Sequence, residues 1–572
     1  MLSINLDDVI KVLDSIKSYL IGFGVVALVA IVAMIACRKM KKSKKYMIRW
    51  QAGLGIVLAL AITVNLILAG PMCSMVTLAT GDGKVSEEHA AEATELVEDM
   101  ADEGIVLLDN DGTLPLAKNS KLNVFGWAST NPCYGGTGSG SLSDAYPTVT
   151  LLEGLTNAGF ELNTELSDFY TAYRADRPVV GMWAQDWTLP EPEASQYSDE
   201  MMENAKAFSD TAMVVITRVG GEGADLPTDV SQVTYDAGHS YNDFEAGEHY
   251  LQLSKTEKDM VDLVTSNFDN VIVVYNGANA MELGWVKDYS QIKSVIWCAG
   301  TGQSGFNSLG SILCGDVNPS GRTIDTFVYD LTETPTWNNI GNFNYTNMDE
   351  FTVPGSKFSA EAVPSFVNYV EGIYVGYKFY ETAAAEGLID YDKTVVYPFG
   401  HGLSYTDFTQ TLNSVTESDG AITVSVTVTN NGSVAGKDVV EVYYNPPYAN
   451  GGIEKASANL IGFAKTSEIA PGASEDVTVT FDVEDMASYD TYGEGCYVLE
   501  AGDYEISINE DSHTVIDSKT YTVASDIVYN ASNKRESDVE VADNKFDFAE
   551  GNVTYLSRAD GFANYAEATA AP

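Results

Sequence analysis

The stretch ITRVGGEGADLPTD (Ile216–Asp229) places one carboxylate, Glu222, among three glycines directly after the apolar run AMVVI (Ala212–Ile216). A carboxyl group on such a loop suits proton transfer, provided that burial or a neighbouring charge raises its pKa towards the working pH. Carboxyl chemistry of this kind commonly runs on a pair of groups whose environments differ. Arg218 and Asp225 flank Glu222 and are the nearest charges able to tune it or to pair with each other, although charges on surface loops are usually inert.

Other chemistries find less support. The five histidines, His89, His239, His249, His401 and His513, include no pair at metal-binding spacing on one helix face. The six cysteines are scattered without a C-x-x-C, which argues against zinc and against a disulfide framework. No cofactor is expected. GGTGSGS (Gly135–Ser141) has the glycines of a phosphate loop but lacks the G-K-[ST] ending. His401, in GHGLS, sits among turn residues with no candidate nucleophile beside it and reads as structural. The net charge of −49 is divided unevenly: residues 1–75 hold nine Lys/Arg against three Asp/Glu and carry +6, leaving −55 for the remainder. Such a surface repels nucleic acid and anionic lipid and tolerates neutral substrates.

The elements that must position Glu222 follow from periodicity. Ser86–Glu103 reads as an amphipathic helix, and Ser254–Asn267 opens with the capping box SKTE. Between helical segments lie the short apolar runs NVFGW (Asn123–Trp127), AMVVITRV (Ala212–Val219), NVIVVYNG (Asn270–Gly277) and SVIWCAG (Ser294–Gly300). Buried strands alternating with helices predict an α/β domain over 83–330 with a mostly parallel sheet covered on both faces. A connecting segment, 331–395, contains the tyrosine-rich YVEGIYVGYKFYET (Tyr369–Thr382), expected at a domain joint. Beyond it, ITVSVTVTN (Ile422–Asn430), DVVEVYY (Asp438–Tyr444), EDVTVTFD (Glu475–Asp482) and DYEISIN (Asp503–Asn509) alternate with a period of two, predicting an all-β sandwich over 396–525. The polar stretch 526–572 reads as a linker tail.

At the amino-terminal end, residues 18–37 and 50–70 are uncharged runs long enough to cross roughly 30 Å of hydrocarbon. The loop between them, RKMKKSKKYMIR, carries seven positive charges. The positive-inside rule then makes 1–75 a transmembrane helical hairpin in the cell membrane, with the bulk of the chain extracytoplasmic. A signal peptide beginning at Met40 is the alternative and leads to the same compartment.

Four stretches, in order, resemble glycoside hydrolase family 3, the β-glucosidase-like family. EGIVLLDNDGTLPL (Glu103–Leu116) resembles the opening of its C-terminal α/β domain, and GGEGAD (Gly220–Asp225) its acid/base loop. GQSGFNSLGSILCGDVNPSGRTIDTF (Gly302–Phe327) resembles the close of that domain, and YPFGHGLSYTDF (Tyr397–Phe408) the start of its fibronectin type III-like domain. The resemblance implies a retaining O-glycosyl hydrolase acting on an oligosaccharide or β-glucoside, with Glu222 as the catalytic acid/base and Arg218 and Asp225 substrate-adjacent. Such hydrolysis needs a second carboxyl about 5–5.5 Å from the first.

In the family that second group is an aspartate in a Ser-Asp-Trp context on a (β/α)8 barrel, which also carries a sugar-gripping Lys-His pair. This chain has no Lys-His, and its one Asp-Trp, in MWAQDWTLP (Met182–Pro190), lies within the α/β region with no buried strand before it. No stretch accommodates a barrel of about 250 residues. The chain resembles a family member with permuted domain order from which the barrel is missing, so that a barrel is expected in cis or in trans. The alternatives are a non-catalytic cell-surface module that binds carbohydrate or scaffolds a partner and, on the glycine loop alone, a nucleotide-binding α/β protein.

Overall fold

The structure is a computed structural model that describes residues 6–80, 85–137, 142, 146–181, 184–233, 243–339, 343–344, 352, 365–539 and 553–572. It divides into two units, one holding residues 1–90 with 344–365 and the other 91–343 with 366–572. The first contains α1 (Leu6–Ala36) and α2 (Lys42–Ala69). Ser15–Lys39 and Lys42–Ala69 are long and apolar enough to cross a membrane, and apolar side chains such as Leu28 and Leu54 are exposed. By length and composition these two helices are candidates for membrane spans or for a signal segment.

The second unit begins with a six-stranded sheet of β1 (Val106–Asn110), β2 (Lys121–Phe125), β3 (Glu161–Leu162), β4 (Thr211–Thr217), β5 (Asn270–Asn276) and β6 (Ile292–Trp297). Their spatial order is β1-β6-β5-β4-β2-β3, and every pairing is parallel except that of edge strand β1 with β6. The sheet is therefore mixed and mostly parallel. Both of its faces are covered, which is why β4 and β5 are nearly continuous apolar runs rather than alternating ones. Val214, Ile216, Val271 and Val273 pack on one side against Met202, Met260 and Val264 from helices 199–208 and 255–267. Met213, Val215, Ile272 and Val274 face the other way, against Leu155, Leu309 and Ile312 from helices 151–157 and 306–314. Those last two helices cross at backbone distance: a Cβ on Gly154 would lie 2.2 Å from the carbonyl oxygen of Phe306, so only glycine fits there.

The antiparallel pair β7 (Phe327–Val328) and β8 (Val395–Tyr397) leads to the sandwich. One of its sheets is formed by β9 (Phe408–Ser418), β10 (Ala421–Asn430) and β13 (Ser474–Asp482). The other has the order β12-β11-β14-β15, formed by β11 (Val439–Asn445), β12 (Asn459–Lys465), β14 (Gly502–Asn509) and β15 (Val515–Val523). All pairings are antiparallel, and alternate residues such as Val424, Val426, Val440, Val442, Ile506 and Ile508 fill the core between the sheets.

The sandwich is locked to the α/β layer by charge. Lys437 and Lys465 both bind the Glu103 carboxylate, and Arg322 reaches Asp438 at 2.8 Å. His401 is structural here, its Nε2 2.8 Å from the Leu108 carbonyl oxygen and its ring stacked on Tyr397. The tyrosine-rich segment packs at this joint, where Tyr374, Phe379 and Tyr380 share a cluster with Val328, Val395 and Ala456.

The tail corrects an expectation. The described residues of 526–572 are not a simple linker, because Ile527–Tyr529 pairs with Tyr497–Leu499 and the segment from 553 folds back onto the tyrosine cluster. Leu556 and Phe562 are buried there. Apolar residues spaced singly among polar ones carry no periodic signal, yet Leu556, Phe562 and Ala568 are buried.

Candidate active site

Parallel strands bring their carboxyl ends to one edge, and loops leaving that edge are where such sheets place ligands. Three of those loops meet around one side chain. Asn276, the last residue of β5, is fully buried; its Nδ2 donates to the carbonyls of Cys133 and Cys298, both at 3.0 Å, and its Oδ1 accepts from the Cys133 N–H at 2.6 Å. Asn276 thus ties the loop after β2 to the loop after β6. Gly302 N–H donates to the Tyr134 carbonyl at 2.7 Å, closing the same edge. The glycine-serine stretch begins here, at Gly135; its residues 138–141 lie outside the described residues.

The loop after β4 carries Glu222. Its first foot is Arg218, which is completely buried. The guanidinium grips Glu257 with Nη1 at 2.8 Å and Nη2 at 2.7 Å, donates through Nε to the Tyr250 carbonyl at 2.6 Å, and also reaches the Gln252 carbonyl. Glu257 is in turn the capping-box residue of helix 255–267, accepting from Ser254 N–H at 2.9 Å. A bidentate guanidinium–carboxylate pair with its remaining donors satisfied is a rigid fixture, so this one fixes the start of the loop to a helix end. Asp225, read from the sequence as able to pair with Arg218 or to tune Glu222, is not its partner: it is exposed, and Arg218 is turned into the protein.

Beyond Arg218 the chain makes a tight turn. Ala224 N–H donates to the Gly221 carbonyl at 3.1 Å, and Gly223 has φ 72°. A four-residue turn whose third position needs positive φ selects glycine there, which explains the order Gly-Glu-Gly-Ala. Val219 and Ala224, on either side, are buried in a small cluster with Trp187, Leu189 and Tyr250. Glu222 is left at the exposed tip. The glycines make a defined turn rather than a slack loop.

The Asp-Trp dipeptide is engaged locally. Asp186 Oδ1 accepts from Thr188 N–H at 3.1 Å and Thr188 Oγ1 at 2.7 Å, and Trp187 is buried edge-on against Tyr250. No group of His, Cys, Asp or Glu able to hold a metal occurs among the described residues.

Two charged groups at this edge escaped the sequence reading. Arg177 lies over the Trp127 ring, bonds the Asn131 carbonyl and has its pKa lowered by burial. Glu191 is buried, accepts from Trp127 N–H at 2.8 Å and Tyr197 Oη at 2.7 Å, and has its pKa pushed up by burial to about 8. Neither stands in a recognisable motif; a glutamate between prolines in LPEPEAS offered the one available signal.

Residues 105–377 match the glycosyl hydrolase family 3 C-terminal domain and residues 438–512 the fibronectin type III-like domain. Beta-glucosidase A of Butyrivibrio fibrisolvens is 34% identical over 440 residues, covering 72% of this chain and 48% of that protein. A beta-glucosidase of Ruminococcus albus is 30% identical over 430 residues, covering 74% of this chain and 40% of that protein. The chain thus spans about half or less of the length of these relatives. Among solved structures, a beta-glucosidase from Paenibacillus barengoltzii superposes with a TM-score of 0.63 at 31% identity, covering 76% of this chain and 44% of that one. Beta-glucosidase 3B from Thermotoga neapolitana, in complex with glucose, gives 0.60 at 28% identity, covering 77% and 55%.

Proposed function

The chain belongs to glycoside hydrolase family 3, and on that premise we propose that it carries the acid/base half of a retaining β-glucosidase. Glu222 protonates the glycosidic oxygen as the bond breaks, then takes the proton from the water that releases the sugar. The nucleophilic carboxylate comes from a (β/α)8 barrel, supplied in cis or in trans. The substrate is a terminal β-linked glucoside, by analogy with the relatives' names. Arg218 acts indirectly, by fixing the loop. Asp225, exposed three residues beyond Glu222, lies beside the substrate. The basic loop between the apolar helices faces the cytoplasm, and the acidic bulk lies outside.

The observation that carries this reading is the Gly-Glu-Gly-Ala turn at the carboxyl edge of the sheet, pinned on both sides and presenting its carboxylate outward. The test is hydrolysis of an alkyl β-glucoside and of an activated aryl β-glucoside by the chain, alone and combined with a family 3 barrel. With the barrel, Glu222→Gln is expected to slow the alkyl substrate about 10²–10⁴-fold and to affect the aryl substrate far less, since a good leaving group needs no proton. Equal losses on both substrates, or none, would remove Glu222 from the role.

A second reading, a cell-surface module that binds sugar without turnover, is favoured by the local use of Asp186 in a turn. Saturable binding by the chain with no turnover in the presence of a barrel supports it.

A further inference from the structure

The two sheets of the sandwich treat their outer faces differently. On the β10/β13 sheet outward Thr, Ser and Asp satisfy one another across strands: Thr427 to Asp476 at 2.7 Å, Thr429 to Ser474 at 2.8 Å. On the β11/β14 sheet, Tyr443 opposes Ser507, Asn445 opposes Glu505 and Glu441 opposes Asn509. These alternate with the core residues Val442, Tyr444, Ile506 and Ile508 and so share the outer face. An outer face this polar is normally solvated. Here Tyr443, Ser507 and Asn509 are buried, because the segment Tyr377–Tyr391 lies over the sheet and leaves a cavity of about 500 Å³ between them.

The cavity is built rather than accidental. On its covering side, Glu381 accepts from Tyr391 Oη at 2.6 Å and Ser512 Oγ at 2.7 Å and pairs with His513 Nδ1 at 2.8 Å. The His513 ring stacks flat on Tyr391, with centroids 3.7 Å apart. Both oxygens of Glu381 are thereby engaged within the wall. The sheet side is not saturated. Asn509 is 2% exposed, and its Oδ1 has no hydrogen-bond partner among the described residues. A buried amide oxygen without a donor is an unmet acceptor in the wall behind this face.

We propose that this cavity is a second carbohydrate site, taking one neutral pyranose unit against the outer face of the β11/β14 sheet. No Lys or Arg lines it, and its one histidine, His513, is already paired with Glu381, so an anion finds no free counter-charge. What lines it instead are hydroxyl, amide and carboxylate groups beside tyrosine rings, the set that satisfies a ring of hydroxyls with one apolar face. The volume falls in the range of small-ligand clefts. The site belongs to the fibronectin-like domain and does not require Glu222.

The test is calorimetric titration of the full chain in detergent with glucose, cellobiose and the open-chain polyol sorbitol. Saturable binding of glucose or cellobiose is expected, unchanged in Glu222→Gln and weakened at least tenfold in Ser507→Leu, which fills the cavity wall. Should Ser507→Leu fail to fold by circular dichroism, Asn445→Ala at the exposed mouth replaces it, with a threefold weakening expected. No saturable binding, equal affinity for sorbitol, or binding that survives the cavity variant overturns the proposal. Binding lost in Glu222→Gln also overturns it, by moving the sugar to the β4 loop. Turnover is not read, so failure here leaves the acid/base reading standing.

Discussion

Two glutamates at one edge of the sheet hold opposite halves of what a catalytic acid needs. Glu191 has enclosure without access: it is buried, hydrogen-bonded to Trp127 and Tyr197, and keeps its proton up to about pH 8. Glu222 has access without enclosure, exposed at the tip of a turn whose flanks are anchored. The same residue type becomes a protonated structural group in one place and a presented carboxylate in the other. What separates them is the backbone: the Gly-Glu-Gly-Ala turn lifts one side chain off the core, whereas the chain turning at 189–191, with Glu191 N–H donating to the Leu189 carbonyl at 2.8 Å, lays the other into it.

Breaking the anchor should have the largest effect on this contrast. Arg218→Ala strands Glu257 as a buried, unpaired charge, with an expected cost of about 3–5 kcal/mol by chemical denaturation. Replacing Arg218 and Glu257 together by Met should recover part of that loss, because no charge is then left alone. Next comes Glu191. Between its ordinary value near 4.5 and its folded value of about 8, the unfolded chain has lost the proton that the folded chain keeps. The folded state binds more protons, so stability falls as pH rises across that window, by at most about 1.4 kcal/mol per pH unit. Denaturation midpoints of Glu191→Gln measured from pH 5 to 8 should fall less steeply than those of the parent; an unchanged slope would show that Glu191 is already ionised. The smallest effect is expected from Gly223→Ala. Forcing a side chain into φ 72° should cost about 1 kcal/mol, read as a small drop in Tm with helix 255–267 intact.

The sheet was legible because a strand buried on both faces leaves an uninterrupted apolar run. β4, β5 and β6 fall within two residues of AMVVITRV, NVIVVYNG and SVIWCAG at their starts. The capping box at Ser254 formed as read, and the sandwich strands follow their two-residue alternation. The position of Glu222 just after β4 was legible for the same reason. The partner of Arg218 was not: Glu257 lies 39 residues away, and nothing local distinguishes it from other helix glutamates. Asn276 and Glu191 escaped in the same way, since a buried polar residue is defined by the loops that converge on it.

The cluster around Tyr374 and Phe379 draws on the β7/β8 pair, a sandwich loop at Ala456 and the returning tail at Leu556 and Phe562. Layers with separate cores would melt one after the other, each with its own midpoint. A cluster to which all three contribute makes the loss of any one expose the others' apolar surface, so calorimetry should find the α/β layer, the sandwich and the tail unfolding as one cooperative unit.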